Sequence, residues 1–162
     1  MVINLYEVVK FFLVQINNYF ILFICYKKIH LTILNIIMRI GFMNVGTEIL
    51  IGDTLNTNGS ALSRILLSQG FILHYDLSVA DDKDDVASAL KFLTLNVDVL
   101  IISGGLGPTE DDMTKEYLSS ITGYELIEDL EHTEWMRNRW RERGMEMSEI
   151  NKKQSFIFNN FN

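Results

Sequence analysis

Residues 97–114, VDVLIISGGLGPTEDDMT, constrain this chain more than any other stretch, because an apolar run passes straight into a glycine-rich turn and then a cluster of acids. Val97, Val99, Leu100, Ile101 and Ile102 form the short aliphatic run expected of a strand covered on both faces. Ser103–Gly104–Gly105–Leu106–Gly107–Pro108–Thr109 follows and holds the chain's single proline. Glycines there let backbone N–H groups approach an anion with no Cβ in the way. Glu110, Asp111 and Asp112 come next, at the start of a helix predicted through Ile121. Carboxylates in that position cap a helix, hold a cation, or do both. The pattern predicts a phosphate-bearing ligand with a divalent cation.

A second loop of the same kind lies upstream. Ile40–Val45 reads as a strand, and Gly46, Thr47 and Glu48 leave its end. The polar stretch from Gly52 to Asn58 leads into a helix predicted over about Gly59–Gln69, with Leu62, Ile65 and Leu66 on one face and Asn58 as N-cap. Phe71–Val79 alternates as a strand does. Asp81–Asp85 is an acidic helix start, and Val86, Ala89, Leu90 and Leu93 give that helix an apolar face. The order β-α-β-α-β-α predicts an α/β domain, a parallel sheet between two helical layers. Right-handed crossovers then put both glycine-bearing loops at the carboxyl edge of the sheet, where open α/β sheets bind ligands.

With both loops placed, residues 44–123 resemble the molybdopterin-binding-like domain at the N-terminus of the CinA, or competence/damage-inducible, family. The family's GTELL-G-x-x-x-NTN stands here as GTEILIGDTLNTN, and its GGLGPT-x-DD-x-T as GGLGPTEDDMT. Related molybdenum-cofactor enzymes carry TGGTG at the second loop, so SGGLGPT favours the CinA branch. The resemblance implies a three-layer parallel-sheet domain of the molybdopterin-binding-like type. It also implies a nucleotide-like or pterin-phosphate ligand, and metal-dependent hydrolysis of the pyrophosphate in ADP-ribose with Mg, Mn or Co. Full-length relatives carry a separate nicotinamide mononucleotide deamidase domain that has no counterpart in these residues.

The resemblance distributes roles over the two motifs. Gly104, Gly105 and Gly107 would offer backbone donors, and Thr109 and Thr114 hydroxyls. Asp111 and Asp112 would be the metal ligands, and Glu48 a further ligand or the base. Asn56 and Asn58 suit hydrogen bonds to ribose or phosphate, with Gly46, Thr47, Thr57, Ser103 and Pro108 completing the ligand's surroundings. Simpler roles compete. Either Asp111 or Asp112 suits an N-cap, and Thr57 and Asn58 suit a loop and a cap. Asp81, Asp82, Asp84 and Asp85 look like a metal site but read better as a solvated helix start. His74 and His132 have no partner at ligand spacing and read as structural. Two readings besides a hydrolase stay open: a binding module without chemistry, and an inactive gene fragment.

Beyond Gly123, Glu128–Arg143 predicts a helix whose Trp135, Met136 and Trp140 pack inward among Arg137, Arg139, Arg141 and Arg143. Glu131, Glu134 and Glu142 offset those arginines, and the whole chain carries a formal charge of −7, which speaks against a general nucleic-acid binder. A cap over the sheet edge or a contact between copies in a homo-oligomer is the expected use of that helix. Gly144 ends it, and Ser148 starts a further helix through Gln154.

Residues 1–37 match no part of the family and read as a hydrophobic leader, with Met38 a good initiator for a domain over residues 38–162. The apolar stretch Phe11–Tyr26 raises a membrane anchor as a rival, but Gln15, Asn17 and Asn18 interrupt it below the span a bilayer needs. The ending Ser155–Asn162 resembles a truncation, so the resemblance places the fold's last strand and helix beyond it. The single cysteine, Cys25, excludes an intrachain disulfide, and a cytoplasmic setting is the default.

Overall fold

The computed structural model describes the backbone at residues 10–16 and 19–25, and residues 38–159 in full. Three parallel strands form its centre: β3 (Ile40–Val45), β4 (Leu73–Val79) and β5 (Val99–Ser103). Strand β3 lies between the other two, with Asn44 opposite Ser78 on one side and Ser103 on the other. Two strands from the leader, β1 (Lys10–Ile16) and β2 (Tyr19–Cys25), extend this sheet as an antiparallel hairpin, β2 pairing with β5 so that Leu22 faces Ile102. The parallel three-strand core is the one the α/β pattern predicts, and the hairpin adds an antiparallel edge to it. The antiparallel addition satisfies the hydrogen-bonding edge that β5 presents. Among the described residues no helix is long and apolar enough to cross a membrane.

The pleat sorts the core into two layers. Met43, Val45, Leu100 and Ile102 point to one face, where Val86, Leu90 and Leu93 of α3 (Lys83–Asn96) and Leu118 of α4 (Thr114–Thr122) cover them. Ile40, Phe42 and Ile101 point to the other, under Leu62 and Leu66 of α2 (Thr57–Ser68). Period-2 strands bury both faces only because a 3.6-period helix lies on each. Asp82 caps α3, accepting from the amides of Asp84 and Asp85, which is the solvated helix start the acid run suggested. A one-turn helix, α1 (Thr47–Leu50), follows β3.

A smaller sheet sits beside α4. In it β6 (Leu126–Glu128) pairs antiparallel with β7 (Phe156–Phe158), flanked by α5 (Leu130–Glu142) and the 3-10 helix Glu149–Ser155. Phe158 is 1% exposed within the main core, so the segment SFIF is built into the fold. In α5 Met136 is buried as predicted and Trp140 is half-buried. Trp135 is 45% exposed, stacked on His132 with Arg139 over its ring. Asp129 caps this helix by accepting the His132 amide, and its last residues give way to Gly144 at φ 72°.

Candidate functional site

At the carboxyl edge of the sheet, the first loop is held by Asn56. Its side chain caps α2 by accepting the Gly59 amide at 3.1 Å, and the same oxygen accepts the side-chain amide of the buried Asn44 at 3.1 Å. Its nitrogen donates to Asp76 and to Ser78, each at 3.3 Å. All four bonding directions of the amide are taken. Asn56 thus serves as the N-cap expected of Asn58, and it has no bond left for the ribose or phosphate the resemblance gave it. Asn58 instead lies within α2 and reaches Ser103 at 3.4 Å, joining the first loop to the end of β5. Thr57 is an exposed first residue of α2.

The second loop passes so close to the first that only glycine fits. A Cβ on Gly104, at φ 91°, would lie 1.9 Å from the Val45 carbonyl oxygen. Gly105 also has positive φ, and a Cβ there would meet the Thr114 hydroxyl. That hydroxyl donates to the Gly104 carbonyl at 2.9 Å, and the Thr114 amide donates to Gly105 at 3.0 Å. Thr114 is fully buried, so its hydroxyl ties α4 to the loop and does not face a ligand. Helix α4 begins there, four residues later than expected. Glu110–Asp112 stay in a turn, and none of them caps α4, whose N-cap is Met113. Asp112 folds back, its Oδ2 accepting the Thr109 amide at 2.9 Å and the Thr109 hydroxyl. Proline before this closure fixes the turn's entry.

Some polar groups in this region have no partner among the described residues. No described residue accepts a hydrogen bond from the amides of Gly105, Leu106 or Gly107. An open cleft of about 460 Å³ is lined by Thr47, Asp81, Glu110, Asp111, Met113 and Tyr117. Asp81 follows the end of β4 and is laced to the first loop: the Thr47 amide donates to its Oδ2 at 3.2 Å, and its own amide donates to the Thr47 hydroxyl at 3.2 Å. Its Oδ1 is buried and receives no hydrogen bond. Burial raises the Asp81 carboxyl above its ordinary range, the Thr47 amide pulls it back, and the negative charges of Glu48, Asp112 and Asp111 push it further up. An orphaned carboxylate oxygen among three other acids is a cation-seeking arrangement. Asp81 is thus the member of the acid run that leaves the helix start and joins the site. Its place at the end of a predicted strand was the available signal.

Glu48 is exposed at the rim, its carboxylate beside Gly46. Asp111 is exposed on the cleft wall and Asp112 lies behind it. Among the described residues no three acids, histidines or cysteines come close enough together to enclose a metal. The set fits a cation of the Mg²⁺ type, which takes one or two carboxylates and draws its remaining ligands from water and substrate phosphates.

Residues 41–159 match the family described as "Probable molybdopterin binding domain". The chain is 30% identical to CinA of Thermoplasma acidophilum, a solved structure titled as of unknown function, with a TM-score of 0.63 over 75% of this chain and 71% of that one. It belongs to the CinA family. A competence-damage inducible protein from Caldicellulosiruptor saccharolyticus is 40% identical over 113 residues, 70% of this chain and 28% of that protein. A CinA-like protein from Dictyoglomus thermophilum is 37% identical over 120 residues, 74% of this chain and 29% of that protein. This CinA-family chain thus spans under a third of the length of those two relatives. Its molybdopterin-binding-type domain is the part they share.

Proposed function

We propose that this domain binds a nucleotide-like or pterin phosphate at the glycine loop and hydrolyses the pyrophosphate of an ADP-ribose-like compound with a divalent metal. The observation carrying this reading is the juxtaposition of unpaired loop amides at Gly105–Gly107 with the orphaned carboxylate oxygen of Asp81. Amide donors suit the phosphate oxygens. Asp81 and Asp111 would hold the cation, which supplies charge neutralisation on the pyrophosphate and a more acidic water. In the hydrolysis a water oxygen bonds to one phosphorus as the bridging P–O bond breaks. A carboxylate, Glu48 at the rim, takes the water's proton. The departing phosphate keeps the bridging oxygen, its charge met by the loop amides.

The test is ADP-ribose with Mg²⁺ or Mn²⁺ added to the full chain, followed by ³¹P NMR. AMP and ribose 5-phosphate are the expected products, absent without metal and absent in Asp81→Asn and Asp111→Ala. One finding favours a second reading, a binding module without turnover: among the described residues no three acids, histidines or cysteines form a group that could hold a metal unaided. Saturable ADP-ribose binding with no phosphorus product over hours would select that reading.

A further inference from the structure

The acidic turn is gripped from behind by a residue 41–44 positions along the chain. Thr109 and Asp112 close that turn on each other, the Asp112 amide donating to the Thr109 carbonyl at 3.2 Å while the Asp112 carboxylate takes the Thr109 amide. The Lys153 ammonium donates to the carbonyls of these same two residues, Thr109 at 3.1 Å and Asp112, and pairs with Glu116 at 3.3 Å. Its own segment is anchored in turn. Lys115, 3% exposed in the first turn of α4, donates to the carbonyls of Lys153 at 2.8 Å, Phe156 at 3.1 Å and Gln154 at 3.3 Å. An ammonium has three donors and no acceptor, so three carbonyls satisfy Lys115 completely. Burial nevertheless pushes it down to about 8, with Glu116 raising it and Lys153 lowering it. Two cations therefore form a continuous bridge, from α4 to the 3-10 helix and from there back to the turn.

We infer that Lys153 is a positioning residue, holding the Thr109–Asp112 turn so that Asp111 stays on the cleft wall across from Asp81. A turn carrying Glu110, Asp111 and Asp112 in succession repels itself, and its internal closure rests on the Thr109–Asp112 pair. A cation on two of its carbonyls opposes that repulsion and fixes the turn without occupying any carboxylate needed on the cleft side. Neighbouring Lys152 turns away to Glu128 at 2.9 Å, so the two lysines separate positioning from generic charge. The consequence for metal chemistry rests on the proposed function, but the ordering of the turn does not.

The experiment compares Lys153→Met with Lys152→Met in the full chain by hydrogen exchange, Mn²⁺ titration followed by EPR, and urea denaturation. Lys153→Met is expected to speed exchange of the Thr109 and Asp112 amides, the two that close the turn, by about tenfold or more, the scale of losing a charge-assisted bond. Exchange in β5 should stay unchanged. Mn²⁺ affinity should fall by a similar factor, while the urea midpoint moves no further than in Lys152→Met. Lys153→Arg, which keeps a cation with several donors, should recover much of the protection. Unchanged exchange in the turn overturns the inference. So does faster exchange in turn and β5 together with a lowered midpoint, which would make Lys153 a general stabiliser. If Lys153→Met does not fold, Lys153→Gln carries the same comparison. A wild-type chain that binds no Mn²⁺ would refute the metal reading alone, and the exchange contrast would still decide the role of Lys153.

Discussion

Replacing Asn56 by Ala should damage the fold and leave ligand contacts alone, the reverse of what its place in the NTN motif suggests. Two losses set the size. Removing the cap on α2 costs about 1 kcal/mol. Truncation also strips the side-chain amide of Asn44, 2% exposed, of its acceptor, and an unsatisfied buried amide costs about 1–3 kcal/mol. Asp76 and Ser78 are reachable by water and add little. The sum is about 2–4 kcal/mol, or roughly 5–15 °C in midpoint for a domain of this size. Urea denaturation followed by circular dichroism measures the free energy, and calorimetry the midpoint. Asn58→Ala is the internal control, since it loses a single long bond to Ser103 and should cost under about 1 kcal/mol. If the two variants fall within about 0.5 kcal/mol of each other, the four-bond account of Asn56 is wrong.

Three further outcomes follow from the same geometry. Gly104→Ala, whose Cβ would press on a backbone oxygen at 1.9 Å with φ 91°, should cost more than about 4 kcal/mol or abolish folding, whereas Gly123→Ala, at φ 78° with open space around it, should cost about 1 kcal/mol; urea midpoints separate the two. Asp81→Asn should raise the thermal midpoint at pH 7 while removing metal-dependent turnover. Because the folded carboxyl sits above its ordinary range, the native state takes up a proton first as pH falls, so this gain should shrink toward acid, and a gain that grows toward acid would contradict the assignment. The imidazole of His132 is held below its ordinary range by burial first, with Lys115 adding to it and Asp129 opposing. Its contribution is then fully present above about pH 6.5 and lost as pH falls through the folded value, so His132→Phe should flatten the acid side of a stability-against-pH curve.

The α/β architecture was legible because hydrophobic period and loop chemistry agree in Ile40–Val45, in Val99–Ser103 and along α3. Boundaries moved where side-chain bonds compete with local preference. Thr114 starts α4 because its hydroxyl and amide both reach the glycine loop, which leaves Glu110–Asp112 outside the helix. Trp135 faces out because it is adjacent to Met136 and so about 100° round the helix from it, while Thr133 and Met136, three apart, share the buried face. Lys153, and the bonds that draw Asp81 into the site, were illegible for a different reason. Both depend on groups 34–44 residues away, and no local pattern records such a partner.

The motif residues divide into two sets with different duties. Gly104, Asn56, Thr114 and Asp112 spend their special chemistry on one another and on neighbouring backbone, so their presence marks the way two loops cross and says little about a ligand. Thr47, Asp81 and Asp111 line the cleft beside the crossing, Glu48 is exposed, and the amides of Gly105–Gly107 meet no acceptor among the described residues. On the proposed reading, a chain could therefore keep both signatures intact and lose its chemistry by exchanging Asp81 alone, which lies outside them. Conversely, a substitution in the inward set should abolish activity only through the fold. That asymmetry makes stability measured beside turnover, variant by variant, the comparison that separates a hydrolase from a binding module on this scaffold.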